Sequence, residues 1–229
     1  MSKRVLGVWL GGVAAVFALV APAFAAGDIN PNDFVSTIDN PYLPFQPGTV
    51  FHYSGEVDNK RSTDTESVTN RHKDIEGVSA LAVHDEVAVN NKVIEKTDDY
   101  YAQDKKGNVW YMGEDSFELE HGNFVRADDS WLAGQDGAKA GIIMEADPKV
   151  GDTYQQENAP MAQDRAKVLS LDESVTVPYG SFNHVLKTEE TSPIDPQVED
   201  KYYARGVGEL KEGVVKNGNE HYELVSITH

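Results

Sequence analysis

Turn-forming pairs recur along this chain at the spacing of short strands. That rhythm confines it to an antiparallel β fold. Asp58-Asn59, Glu76-Gly77, Asn90-Asn91, Lys106-Gly107 and His121-Gly122 each interrupt a run of extended character. Asn, Asp and Gly accept the positive φ that tight hairpins require. Between two of these turns, Leu81, Val83, Val87 and Val89 alternate with Ala82, His84, Glu86 and Ala88. A period of two describes a strand with one buried face. The segment Lys216-Asn217-Gly218-Asn219 is the strongest hairpin signal in the chain.

The stretch 175–213, VTVPYGSFNHVLKTEETSPIDPQVEDKYYARGVGELKEG, reads as a series of strands and turns. Its second half is echoed by DDYYAQDKKGNVWYMGE at 98–114. FQPGTVFHY at 45–53 is likewise echoed by PKVGDTY at 148–154. The expected architecture is all-β and mainly antiparallel, with about twelve to fourteen short strands and very little helix. A meandering sheet of that size curves into a barrel-like form or splits. The echoes suggest two related β-units, 49–127 and 148–229. The 128–147 connector has no lasting period. Its Trp131, Leu132, Ile142, Ile143 and Met144 are expected to dock on the core. Residues 160–166 are expected to hold one helical turn.

The first 25 residues read as a cleaved signal peptide. Lys3 and Arg4 precede an apolar run to Val20, followed by Ala23-Phe24-Ala25. Residues 26–48 form an extended lead-in, with Pro31 at a brief helix start and IDNPYLPFQPG rich in Pro and Gly. No later run is apolar enough to span a membrane, so the mature chain is expected in a bacterial periplasm or outside the cell. It has no cysteine, which excludes disulfides and thiolate metal sites. The net charge of −18 disfavours nucleic acid and anionic membranes as partners.

GNVWYMGED, DGAKAGIIMEADPKVGDTYQQE, LSLDESVTVPYGSF and KYYARGVGELKE together resemble an uncharacterised family of exported bacterial β-sheet proteins. The VPYGSF and KYYARGVGELKE segments are similar to periplasmic half-barrel carriers of the lipoprotein-localisation type. The resemblance implies fold and export; no catalytic residue follows from it.

The residues themselves offer few catalytic signals. There is no G-x-S-x-G elbow and no H-x-x-x-H pair. Gly206-Val207-Gly208 lacks the following helix that a phosphate site needs. His52 and His84 fall on strands from which they could converge. Asp128 and Asp129 offer hard oxygen ligands for Ca2+ in the connector. Tyr101, Trp110, Tyr111, Tyr203 and Trp131 are candidates to line a concave, ligand-holding face; the alternative for them is cross-strand packing.

Three functions are therefore expected in order. The first is an exported binding protein holding a small apolar molecule, a lipid or an envelope partner on a curved sheet. The second is a cation-binding or structural envelope protein using acidic loops. The third is a hydrolase without a recognisable motif.

Overall fold

The computed structural model describes residues 29–229; the expected signal peptide lies outside them. A single 3-10 turn, Pro31–Asp33, is capped by Asn30, whose Oδ1 accepts from the Asn32 amide. The first half contains β1 (Phe34–Val35), β2 (Val50–Val57), β3 (Lys60–Ile75), β4 (Val78–Val89), β5 (Lys92–Asp104), β6 (Val109–Glu120) and β7 (Asn123–Arg126). Then come β8 (Trp131–Leu132), β9 (Lys139–Met144), β10 (Thr153–Gln155) and β11 (Glu157–Asn158). The chain finishes with β12 (Arg165–Val177), β13 (Gly180–Thr191), β14 (Val198–Ala204), β15 (Gly208–Lys216) and β16 (His221–Thr228).

All sixteen strands join one antiparallel sheet that curls into a nearly closed barrel. Its order is β10-β12-β13-β14-β15-β16-β2-β3-β4-β5-β6-β9-β11. The two ends of that order are consecutive in the chain: β10 pairs with β12, β11 pairs with β9, and only Gln156 stands between them. One continuous segment thus edges both ends of the sheet. Gly141 of β9 makes this seam tight, since a Cβ there would lie 2.2 Å from the Gln156 carbonyl oxygen.

The turns are where the dipeptides place them. Asp58-Asn59, Glu76-Gly77, Asn90-Asn91 and His121-Gly122 all have positive φ at both residues, the backbone of type I′ hairpins that suits the twist of paired strands. The Asn217 hairpin is looser than expected. Asn217 alone takes positive φ, and β15–β16 pairing starts at Gly213 and His221. Its side chain is instead used to donate to the Pro196 carbonyl.

Two expectations need correction. The 128–147 connector contains β8 and β9, and β9 is a barrel strand paired with β6 and β11. Small residues hid it, because Ala140 and Gly141 dilute the alternation where backbones pack closely. Trp131, Leu132, Ile143 and Met144 are buried as foreseen, and Ile142 is partly buried. Residues 160–166 form no helical turn; a bridge between Ala159 and Ala162 turns the chain there.

The echoed segments share their backbone pattern. Gly48 N–H donates to Val68 O, and Val68 N–H donates to Thr49 O. Gly151 N–H donates to Val168 O, and Val168 N–H donates to Asp152 O. The β5–β6 pairing shifts register between Tyr100 and Tyr101, and the β14–β15 pairing shifts between Tyr202 and Tyr203. In each case the extra residue lies on the facing strand, Met112 of β6 and Leu210 of β15, and the second tyrosine of the pair, Tyr101 or Tyr203, is buried.

The lead-in straps one mouth of the barrel. Asn40 Nδ2 donates to Gly107 O in the β5–β6 turn. Gly206 N–H, in the β14–β15 turn, donates to Pro41 O. The strap thus ties together the turns of the two echoed hairpins. Its own Ile38, Tyr42, Leu43 and Phe45 are buried.

Candidate functional site

Strand alternation carries charge into the barrel as well as apolar groups. On β3, Ser62, Asp64 and Val68 are buried; on β4, Val83, Asp85 and Val87. On β5 they are Thr97, Asp99 and Tyr101, and on β14 Lys201 and Tyr203. Asp99 and Lys201 hold matching places, each two residues before the inward tyrosine of its hairpin.

Among the described residues, eight carboxylates are buried: Asp64, Asp85, Asp99, Asp104, Glu157, Asp164, Glu190 and Glu212. Lys201, fully buried, is the one ammonium among these buried side chains. Its Nζ lies 3.0 Å from Glu212, 3.6 Å from Glu190 and 3.7 Å from Glu199. Burial by itself would lower the ammonium's pKa. The surrounding carboxylates outweigh that and hold it well above its usual value. Gln156 extends the network, its Nε2 donating to Glu190 Oε1 at 2.9 Å.

A second acidic group lies on β3 and β4. One oxygen from each of Asp64, Glu66 and Asp85 falls within 4.8 Å of the others. Glu66 and Asp85 are direct cross-strand partners, a like-charge pairing that costs stability unless proton or cation intervenes. Three carboxylates are a donor set suited to a hard cation such as Ca2+. Asp128 and Asp129 follow β7, outside this group. Asp128 is exposed, and the charge of half-buried Asp129 bears on Glu114 and Glu118.

Burial, reinforced by Glu157 and Asp99, pushes Glu114 well above the carboxylate range. Burial and then Glu212 push Glu209 up to about 7. Glu145 rises to about 7 through burial and the charge of Asp152.

The aromatic candidates divide. Tyr101, Tyr111 and Trp131 line the interior in one file, with ring centroids 5.0 Å and 5.4 Å apart; Phe45 extends it 5.1 Å beyond Tyr101. Tyr203 faces the same interior and lines a recess with Phe45, Phe51, Tyr53 and Tyr101. Trp110 is half-buried on the outer side, edge-on to Phe34, and its Nε1 donates to Asp104. It therefore braces β1 and the strap rather than the interior.

His52 and His84 do not come together. His52 contacts Thr228, while His84 lies 2.7 Å from Asp98 and Arg71 clamps that aspartate from its other side.

Sequence reasoning missed the interior charges. Asp85 was legible, for it interrupts the apolar face between Val83 and Val87 in perfect register. Lys201 was equally placed, two residues before an inward aromatic. What no local pattern shows is that Glu190, Glu199 and Glu212 converge on it from three strands.

The nearly closed sheet and its acid-rich interior define the class: an antiparallel β-barrel with an ionisable core. No protein-family model and no curated protein matches the chain. Among solved structures it is similar to a "putative lipoprotein from Parabacteroides distasonis ATCC 8503", at 13% identity and a TM-score of 0.44. The match covers 82% of this chain and 99% of that one. Among the described residues, no helix is long and apolar enough to cross a membrane.

Proposed function

We propose that this is an exported binding protein that takes a positively charged ligand into its barrel. The observation that carries this reading is the gathering of Asp64, Glu66 and Asp85, one oxygen from each within 4.8 Å of the others, in a barrel whose interior is also lined by the Tyr101–Tyr111–Trp131 file. Carboxylates held this close repel one another, and a proton or a bound cation relieves the repulsion. A cationic guest does so without rearranging the fold. The reading joins two expectations drawn from the sequence, aromatic lining and cation binding, and moves the cation from the acidic loops to the interior.

Thermal melting at neutral pH tests it. Calcium, magnesium and alkylammonium salts are compared with sodium chloride of equal ionic strength. At least one cation should raise the melting temperature in a saturable way. Indistinguishable melts across the whole series would refute the reading.

A further inference from the structure

We propose that the outer edge of β7 is a docking site for an extended protein segment in which basic and apolar side chains alternate. Among the described residues, β7 pairs with the end of β6 alone and lies off the main strand order. All of its residues, Asn123–Arg126, are exposed. Just beyond it, the Ala127 N–H donates to Ser116 O. Bonded and non-bonded pairs alternate along an antiparallel ladder. Val125 with Glu118 and Asn123 with Glu120 are therefore the pairs that share bonds with β6. The N–H and C=O of Phe124 and Arg126 point the other way. Among the described residues, no strand or loop pairs with them. An open edge of this kind is a template for strand addition.

The two faces of the β6–β7 hairpin specify what such a segment carries. Cross-strand partners share a face, and neighbours along a strand take opposite ones. Phe117, Leu119 and Phe124 lie on the outer face, with Phe117 and Phe124 exposed. Glu118 and Glu120 lie on the other face, in line with buried Ser116. Burial, and then the charges of Asp129, Glu120 and Asp128, raise the Glu118 carboxyl, so these four acids share one neighbourhood. The cations beside them are already engaged on the outer face. Arg126 lies 3.3 Å from Asp115, and Lys96 pairs with Glu86 beneath the Phe124 ring. An added strand bonds through the residues opposite Phe124 and Arg126. Their side chains fall on the outer face against Phe117 and Phe124, which selects apolar groups. The side chain between them falls on the acidic face, which selects a basic one. A second copy of this chain does not offer that pattern. β7 paired with itself sets the same acids on the same face, where like charges repel.

The probe is an end-blocked heptapeptide that alternates lysine and valine. One control peptide carries glutamate for lysine. A second is N-methylated at its valines, which keeps the charge and removes the ladder donors. Calorimetric titration at low ionic strength measures affinity, and NMR amide shifts locate the peptide. Titrations are repeated on Phe124→Pro, which removes one outward N–H and leaves the bonds to β6 in place. The expected result is binding of the lysine peptide, with its largest shifts at Phe124 and Arg126. N-methylation or Phe124→Pro should weaken it about tenfold or more. The N-methylated peptide decides the matter even where thermal melting shows that Phe124→Pro does not fold. Equal binding of the N-methylated peptide would reduce the contact to charge attraction and overturn the proposal. Equal binding of the glutamate peptide would overturn it by showing that charge is not read. Shifts centred away from β7, or no binding, would also overturn it. A dimer of the protein alone that Phe124→Pro dissolves in sedimentation would assign the edge to a second copy and overturn it.

Discussion

The Tyr111 hydroxyl lies 2.6 Å from Asp99 Oδ1. The same hydroxyl lies 2.7 Å from Glu114 Oε2. A phenol has one proton to donate, so two short contacts to carboxylates require a second proton. Asp99 is fully buried and Glu114 is pushed up by burial, Glu157 and Asp99. The raised Glu114 carboxyl is the group expected to hold that second proton.

A folded-state pKa above the unfolded value means that the native protein binds more protons across the interval between them. Stability then falls as pH rises through that interval. For Glu145 and Glu209 it runs from the ordinary glutamate value of 4.5 to about 7; Glu114 extends it upward. The melting temperature should fall between pH 5 and pH 8. Glu114→Gln, which keeps a neutral donor toward Tyr111, should flatten that slope and stabilise the protein at pH 8 by on the order of 1–3 kcal/mol. Chemical denaturation at both pH values measures this. A variant less stable at pH 8 would show that Glu114 is not the proton carrier.

Lys201 holds the opposite role, as the counter-charge for three glutamates. Lys201→Met fills similar volume but leaves Glu190, Glu199 and Glu212 without their ammonium. The expected loss is about 3–5 kcal/mol at neutral pH, shrinking in acid as the glutamates protonate. Urea unfolding at pH 5 and pH 7.5 reads it. A loss independent of pH would point to packing rather than charge.

Gly141 tests the barrel seam. A methyl group there would meet the Gln156 carbonyl oxygen at 2.2 Å and the Gln155 oxygen at 2.6 Å. Both are backbone atoms, so no rotamer change relieves the overlap. Gly141→Ala should cost about 1–3 kcal/mol and raise amide exchange in β9 and β11 ahead of the remaining strands. Exchange that rises uniformly, or not at all, would remove the seam from its place in this account.

The two related stretches show how far local reading reaches. The Tyr-Tyr-Ala echo marked two hairpins, and both carry a register shift at the paired tyrosines. The shift itself was not readable, because a bulge depends on the facing strand. Trp110 illustrates the same limit. As the neighbour of Tyr111 on one strand it takes the opposite face, and only the position of Phe34 shows what covers it.

The sequence by itself determined strands and turns. Positive φ at Asp58-Asn59 or Asn90-Asn91 and two-residue alternation are properties of neighbouring residues, governed by local sterics. Tertiary structure decided the rest. It set the strand order, closed the sheet through Thr153–Asn158, and brought Lys201 to Glu190 and Glu212. Alternation assigns residues to two faces but does not say which face becomes the inside. That choice is made when distant strands meet, and in this protein the inside so formed holds acids as well as rings.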